Sequence, residues 1–391
     1  MSFYRWCVRP FLFQFDPEWI HHHTLLAARA VGRPALMRKA LTRLFEFDDP
    51  RLHVSYAGLD FPNPVGLPGG FDKNGLAIET IATAGFGFLE VGSVSLHPSA
   101  GNPERPRLFR LPLDESIMIY YGVPNEGADA IAKRLTTVRL PAPLGINVVE
   151  TNTGRMAPTE EVIEELAESV RPFLGMVDYI VINMNCPNSM GGASVLDEPK
   201  TLQRLLESYR ERYPSLPPMF LKINVPLEAH RIDAVLEVTD SYPFVKGFIP
   251  SAGKKPPSSL RTPREQLAKM RGSVTGPHTR EGANEIMRAW YARIDPSRYI
   301  LVSAGGIFSA EDAYERIRAG ASLVQVYTAL IYRGPGLVKN IKQGLCALLE
   351  RDGLKNISEA VGIDHARRAG KSVAPGAATS PMPAKDDAPV E

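Results

Sequence analysis

The stretch Tyr179-Ile-Val-Ile-Asn-Met-Asn-Cys-Pro-Asn-Ser-Met-Gly-Gly192 decides the fold, because an apolar run of strand length ends abruptly in amides, a thiol and glycines. Tyr179 to Ile182 lacks the alternation of a half-wet strand, so it fits a strand buried on both faces, as in a parallel sheet covered by helices. Asn183, Asn185, Cys186 and Asn188 crowd its carboxyl end. Pro187 pushes Cys186 out of helical geometry, and Gly191-Gly192 frees the backbone that follows.

The same rhythm of apolar run, polar or glycine-bearing loop and helix-length periodic segment recurs on both sides of this stretch. The runs are Pro64 to Leu67, Phe86 to Val91, Leu144 to Val148, Tyr179 to Ile182, Met219 to Ile223, Val245 to Ile249, Tyr299 to Ser303 and Leu323 to Val326. Eight such units predict an α/β chain folded as a (β/α)8 TIM barrel, with a short strand at Leu52 to Ser55 serving as a lid. A doubly wound sheet is the alternative. Polar residues follow nearly every strand rather than one switch point, which favours the barrel. The expected division is a helical segment over residues 1–46, the barrel over 47–365 and a disordered tail over 366–391, where Ala, Pro, Gly, Ser, Lys and Asp dominate.

In the first segment Asp16-Pro17-Glu18 starts a helix that Gly32 ends, and Pro34 opens another. Leu36, Met37, Ala40, Leu41 and Leu44 make a stripe at helical spacing, with Arg38, Lys39 and Arg43 opposite. Such a basic amphipathic helix lies on a membrane surface or packs on its own domain's core. His21, His22 and His23 cannot share one helical face and are expected in solvent rather than on a metal.

Composition excludes several classes. With 44% apolar and 23% charged residues, and 45 Lys+Arg against 43 Asp+Glu, there is material for a core and no net field for nucleic acid. Cys7, Cys186 and Cys346 stand too far apart for a clipped metal and too few for a disulfide framework. The start is too polar and aromatic for a signal peptide, and no apolar run reaches the roughly 20 residues of a membrane span.

The strand ends carry Gly69-Gly70-Phe71-Asp72-Lys73, Gly92-Ser93, Asn147, Asn183 with Cys186, Lys222, Ser251, Gly305-Gly306 and Tyr327-Thr328. The last two pairs occupy the slots after strands seven and eight where barrels bind phosphate. Lys73 and Lys222 would hold positive charge beside an anionic ring or an electron sink. Cys186 is an inert small hydrophobe, a nucleophile or a base. With an unperturbed pKa of about 8.5, modest positive charge nearby would supply thiolate to remove a weakly acidic C–H proton.

Leu67-Pro-Gly-Gly-Phe-Asp-Lys73, Gly85-Phe-Gly-Phe-Leu-Glu-Val-Gly-Ser93, Gly101 to Leu111, Asn183 to Asn188 and Gly320 to Thr328 resemble the dihydroorotate dehydrogenase family across residues 50–365. Phe15-Asp-Pro-Glu-Trp-Ile-His21 and the amphipathic helices resemble its membrane-associated, quinone-using class. The resemblance implies bound FMN, with contacts falling to Gly69, Lys73, Ser93, Asn147, Asn183, Lys222, Ser251, Gly276, Gly305, Gly306, Tyr327 and Thr328. It implies Cys186 as the base that removes a proton next to a carbonyl while the flavin takes hydride. Lys73, Tyr121, Gly122, Asn183, Asn188 and Ser189 would face substrate. No metal is expected. Quinone would be the electron acceptor, and the protein would sit peripherally on the cytoplasmic face of a membrane.

Three motifs depart from the family. Asn185-Cys186-Pro187-Asn188 stands where the quinone class has Ser-Ser-Pro-Asn, and a cysteine base is the habit of the soluble class. Ile119 and Ala252 replace two asparagines expected to pair with the orotate ring, leaving polar ligand atoms unpaired at about 1 to 3 kcal/mol each. The resulting expectation is a flavin dehydrogenase with altered substrate specificity. Ordinary dihydroorotate oxidation, a Schiff-base lyase using Lys222 and a flavin-binding protein without turnover are the competing readings.

Overall fold

The computed structural model describes residues 3–184, 198–223, 228–251 and 259–368. Eight parallel strands close into a barrel in chain order: β1 Val65–Leu67, β2 Phe88–Val94, β3 Leu144–Val148, β4 Tyr179–Asn183, β5 Met219–Ile223, β6 Val245–Pro250, β7 Ile300–Ala304 and β8 Leu323–Gln325. β8 pairs with β1 and so removes both sheet edges. Every residue of β3 and β4 is buried, which explains their unbroken apolar character: helices cover the outside and packed side chains fill the inside. The register sets Asn183 of β4 beside Lys222 of β5, so both polar ends emerge at one level.

At the amino end of the barrel, Val54–Tyr56 pairs antiparallel with Leu59–Phe61. The expected single strand at Leu52 to Ser55 is therefore a hairpin, begun one turn later because Pro50–Leu52 coils as a 3-10 turn. Phe61 closes this end by packing edge-on against Phe88, the first residue of β2, at 5.7 Å. At the opposite, carboxyl end, Ser116–Ile119 is the middle strand of an antiparallel sheet between Leu108–Leu111 and Ser273–Thr275. Leu111, Met118 and Val274 form a small apolar core beneath it.

The N-terminal segment follows its capping signals. Helix α1 spans Pro17–Gly32, and the Asp16 carboxylate accepts from the Trp19 amide at 2.8 Å, satisfying one of the free donors of the first turn. Helix α2 spans Ala35–Phe45, with Pro34 in extended geometry before it. A π-helical turn, Tyr4–Val8, and a short helix, Arg9–Leu12, precede them. Tyr4 Oη donates to the Ile331 carbonyl at 2.9 Å and Arg9 to the Tyr332 carbonyl at 3.2 Å, so this lead-in docks on the helix Thr328–Arg333 that follows β8. At the other end of the chain, the helix Ile363–Arg368 runs past the expected boundary at 365. The remaining expected tail, 369–391, lies outside the described residues.

Candidate active site

Two cavities meet at the carboxyl end of the barrel. The first, of about 310 Å³, is lined by strand ends and by the antiparallel sheet above them. Gly69, Lys73, Ser93, Asn183, Lys222 and Ser251 all reach it, as do Gly305, Gly306, Tyr327 and Thr328. Tyr121 and Gly122 line the same space, on the side of the antiparallel sheet. Asn147 stands behind this wall, fully buried, and its Oδ1 accepts from Ser93 Oγ at 2.6 Å. Ser93 can turn to meet it because the β2–β3 register shifts between Gly92 and Val94, leaving Ser93 out of the ladder. Gly276 is the exception among the expected cofactor contacts: it is set back from the cavity, against Ser116, while Thr275 and Thr279 on either side line it. Cys186, Asn188, Ser189 and Ala252 lie outside the described residues.

The lysine at the end of β1 is held by aromatic and carbonyl contacts. Lys73 Nζ donates to the Gly70 carbonyl at 2.8 Å and sits 4.3 Å from the centre of the Tyr121 ring. On the same ring the Arg107 guanidinium lies at 5.6 Å. Arg107 is almost fully buried and is paired with Glu18 of α1, while its Nη1 donates to the carbonyls of Ala100 and Asn102 at 2.7 and 3.0 Å. A buried guanidinium needs this degree of pairing. Arg105 reaches the same carboxylate at 3.0 Å.

At the end of β7 a second buried guanidinium stands behind the glycine pair. Arg316 is fully buried, donating to Ser303 Oγ at 2.8 Å, to the Gly305 carbonyl at 3.0 Å and to Asn284. Desolvation pulls its pKa down to about 10, so it remains a cation at neutral pH. The Gly306 backbone has φ +73°, and a Cβ there would meet the Arg280 amide nitrogen at 2.5 Å. The turn is thus closed to side chains and open to a ligand.

The second cavity, about 470 Å³, lies under the N-terminal segment and is predominantly apolar. Leu12, Phe13, Ile20, Leu25, Leu41 and Phe45 supply one side of it. Arg110 is its one guanidinium among the described lining residues, donating to the carbonyls of Phe13 and Phe15 at 3.1 and 3.0 Å and lying 4.5 Å from the Phe13 ring. Burial lowers its pKa. Tyr327 belongs to both cavities. From there the aromatic contacts run from Tyr327 to Phe71 at 5.6 Å and from Phe71 to His21 at 5.3 Å.

His21 corrects the expectation that the three histidines are solvated. Its Nε2 pairs with the Phe71 carbonyl at 2.9 Å, and burial together with nearby Lys73 lowers its pKa to about 4, so it is neutral at pH 7. His22 and His23 are exposed as expected. One face of α1 had to meet the barrel, and the triplet alone does not reveal which of its members lies there. Glu90, Gln325 and Arg316 were also missed. Glu90 and Gln325 each stand as a lone polar residue between apolar neighbours, at Leu89-Glu-Val91 and Val324-Gln-Val326, whereas Arg316, between Glu315 and Ile317, carries no such mark.

The residues present fit FMN. Asn183 Oδ1 is buried, faces this site and lacks a hydrogen-bond partner, an uncommon cost inside a protein that a ring donor would remove. A Cβ at Gly69 would meet the Asn147 side chain at 2.9 Å, so the backbone there is packed as tightly as a close ligand contact needs.

Known proteins agree with this geometry. The profile of the family described as "Dihydroorotate dehydrogenase" matches residues 51–349. The chain is 34% identical over 382 residues to "Dihydroorotate dehydrogenase (quinone)" of Nostoc punctiforme, covering 93% of this chain and 99% of that one. It is 37% identical over 354 residues to the protein of the same name from Halobacterium salinarum, covering 90% and 97%. The crystal structure of the Eimeria tenella enzyme in complex with ferulenol superposes with a TM-score of 0.77 at 28% identity, over 90% of this chain and 96% of that one. Matched over nine-tenths of its length by these relatives, the chain belongs to the dihydroorotate dehydrogenase family, in its quinone-using class.

Proposed function

We propose that this protein oxidises dihydroorotate to orotate on bound FMN and delivers the electrons to a membrane quinone. The observation that carries the reading is the meeting of the two cavities at Tyr327: a cavity lined by two lysines opens on one side of it and a more apolar one on the other. A small polar substrate and a lipophilic acceptor can then act on one cofactor without sharing a site.

FMN held at this site supplies a two-electron acceptor. Gly305 and Gly306, with the cationic Arg316 behind them, and Thr328 would hold its phosphate, while Lys222, Asn183 and Ser93 would hold its ring. Cys186 takes the proton from the substrate carbon beside the carbonyl, and Lys73, steadied over Tyr121, offers positive charge to the substrate's anionic end. The strand-end cavity supports these roles by gathering every described residue among them except Arg316, which stands behind Gly305.

The expectation of an altered substrate is the reading that gives way. Ile119 does line the strand-end cavity, as its replacement of an asparagine required. Yet relatives matched over nine-tenths of the chain are dihydroorotate dehydrogenases, and Lys73, Asn183 and Ser251 still offer polar partners in that space. Ordinary dihydroorotate oxidation is therefore the better supported reading.

The outer face of the N-terminal segment supports peripheral attachment to a membrane. No described helix is long and apolar enough to cross one. Phe3, Trp6, Phe11, Leu36 and Leu44 are nevertheless exposed by 59% or more. Arg29 of α1, Arg33 between the helices, and Lys39 and Arg43 of α2 are exposed in the same segment, the composition of an interfacial anchor on an anionic, cytoplasmic leaflet. Measuring orotate formation with a long-tailed quinone as the sole acceptor tests the proposal. Absence of orotate from protein that is loaded with FMN would refute it.

A further inference from the structure

Glu90 lies in the middle of β2 and is 1% exposed, in a strand where every residue is buried. Its Oε2 accepts from the Gly69 amide at 2.9 Å and from Asn147 Nδ2 at 3.3 Å, and its Oε1 accepts from Gln325 Nε2. All three contacts are donors, which an ionised carboxylate accepts in full, whereas a neutral acid would carry an O–H with no acceptor among them. Lys222 supplies the cationic field acting on it. Burial pushes the carboxyl pKa upward and dominates, while these four groups, each favouring the ionised form, offset part of the rise.

A charge in a barrel core is costly, and a leucine would fill the space without that cost. What distinguishes Glu90 from a packing residue is the identity of its partners. Gly69, Gln325 and Lys222 line the strand-end cavity, and Asn147 holds Ser93, which lines it too. One carboxylate thus ties together the ends of β1, β3 and β8 under the floor of the site.

We infer that Glu90 is a positioning residue for the flavin: it fixes the Gly69, Asn147 and Gln325 amides and, by its negative charge against Lys222, holds the reduction potential of the bound cofactor down. The inference rests on the proposed FMN site. A fixed negative charge disfavours adding electrons nearby, so it sets how the driving force divides between substrate oxidation and quinone reduction.

Glu90→Gln is nearly isosteric. Its carbonyl oxygen keeps the Gly69 and Asn147 bonds, and its amide can donate to Gln325 once that amide flips. The double variant Glu90→Gln with Gln325→Glu moves the charge by one side chain and keeps the same pairing. Spectroscopic redox titration of the purified FMN-loaded proteins is the test, with FMN affinity of the apoproteins measured alongside. We expect E90Q to retain FMN with less than tenfold weaker affinity and to titrate at a more positive potential, and the double variant to return most of the way. An unchanged potential in a yellow E90Q protein would overturn the inference. So would a positive shift that the double variant fails to reverse, or loss of folding in both variants, which would leave Glu90 a core residue only. Wild-type protein that cannot take up FMN would fail the underlying site proposal instead, a result visible before any variant is made.

Discussion

Leu36 of α2 and Val91 of β2 are both aliphatic, yet Leu36 leaves 80% of its surface exposed and Val91 leaves none. The contrast holds across the two regions they represent. Barrel strands bury nearly everything, and polar residues kept inside them, such as Glu90, are hydrogen-bonded hubs. The N-terminal segment turns large apolar groups outward and uses its inner face to roof a cavity. Burial in the barrel is complete among the described residues, whereas the segment's outer face is covered by none of them, and a lipid interface matches its mixture of aromatic, aliphatic and basic residues.

Removing the base proposed for the barrel should give the largest effect. Cys186→Ala is expected to slow flavin reduction by dihydroorotate by roughly 10²- to 10⁴-fold while FMN stays bound, as rapid-mixing absorbance would show. Near-normal reduction would shift the base elsewhere.

The joint between the regions should come next. Glu18→Ala leaves the Arg107 guanidinium buried without its carboxylate, which should cost about 3 kcal/mol in denaturant unfolding. Loss of under about 0.5 kcal/mol would mean that the segment hardly couples to the barrel.

His21 makes the same joint sensitive to acid. Its folded pKa of about 4 lies below its ordinary 6.5, so between those values the unfolded chain takes up a proton that the folded chain refuses. Stability should therefore be unaffected by this group above pH 6.5 and fall as pH drops toward 4, by up to roughly 3 kcal/mol. Once their difference at pH 7 is subtracted, the stabilities of wild type and His21→Gln should diverge as pH falls below 6.5, wild type losing the more. Parallel curves throughout would contradict the burial of this ring.

The smallest effect on folding belongs to the outer face. Leu36→Ser should lower partitioning onto anionic vesicles roughly tenfold, from lost apolar burial, with unfolding stability unchanged within about 0.5 kcal/mol. Unaltered vesicle binding would point to another covering surface.

The same contrast explains what could be read from the sequence. Barrel strands announce themselves as continuous apolar runs, and β3 and β5 begin and end where those runs do. Both N-terminal helices start at the residues their proline signals indicate. The antiparallel sheet over the site was invisible because Ser116–Ile119 pairs with Ser273–Thr275, some 150 residues away, through a strand of only three residues. In the site, glycine pairs and lysines at strand ends were legible because few other roles suit them there. Glu90 and Gln325 were not, since their meaning lies in which distant strands they join. His21 could not be told from its two neighbours until the docked face of α1 was known.

Anaerobic mixing of the full-length protein with dihydroorotate, followed by a lipophilic quinone, tests the account most directly. The flavin band should bleach on the first addition and return on the second. A flavin that stays oxidised in saturating dihydroorotate would contradict the assignment.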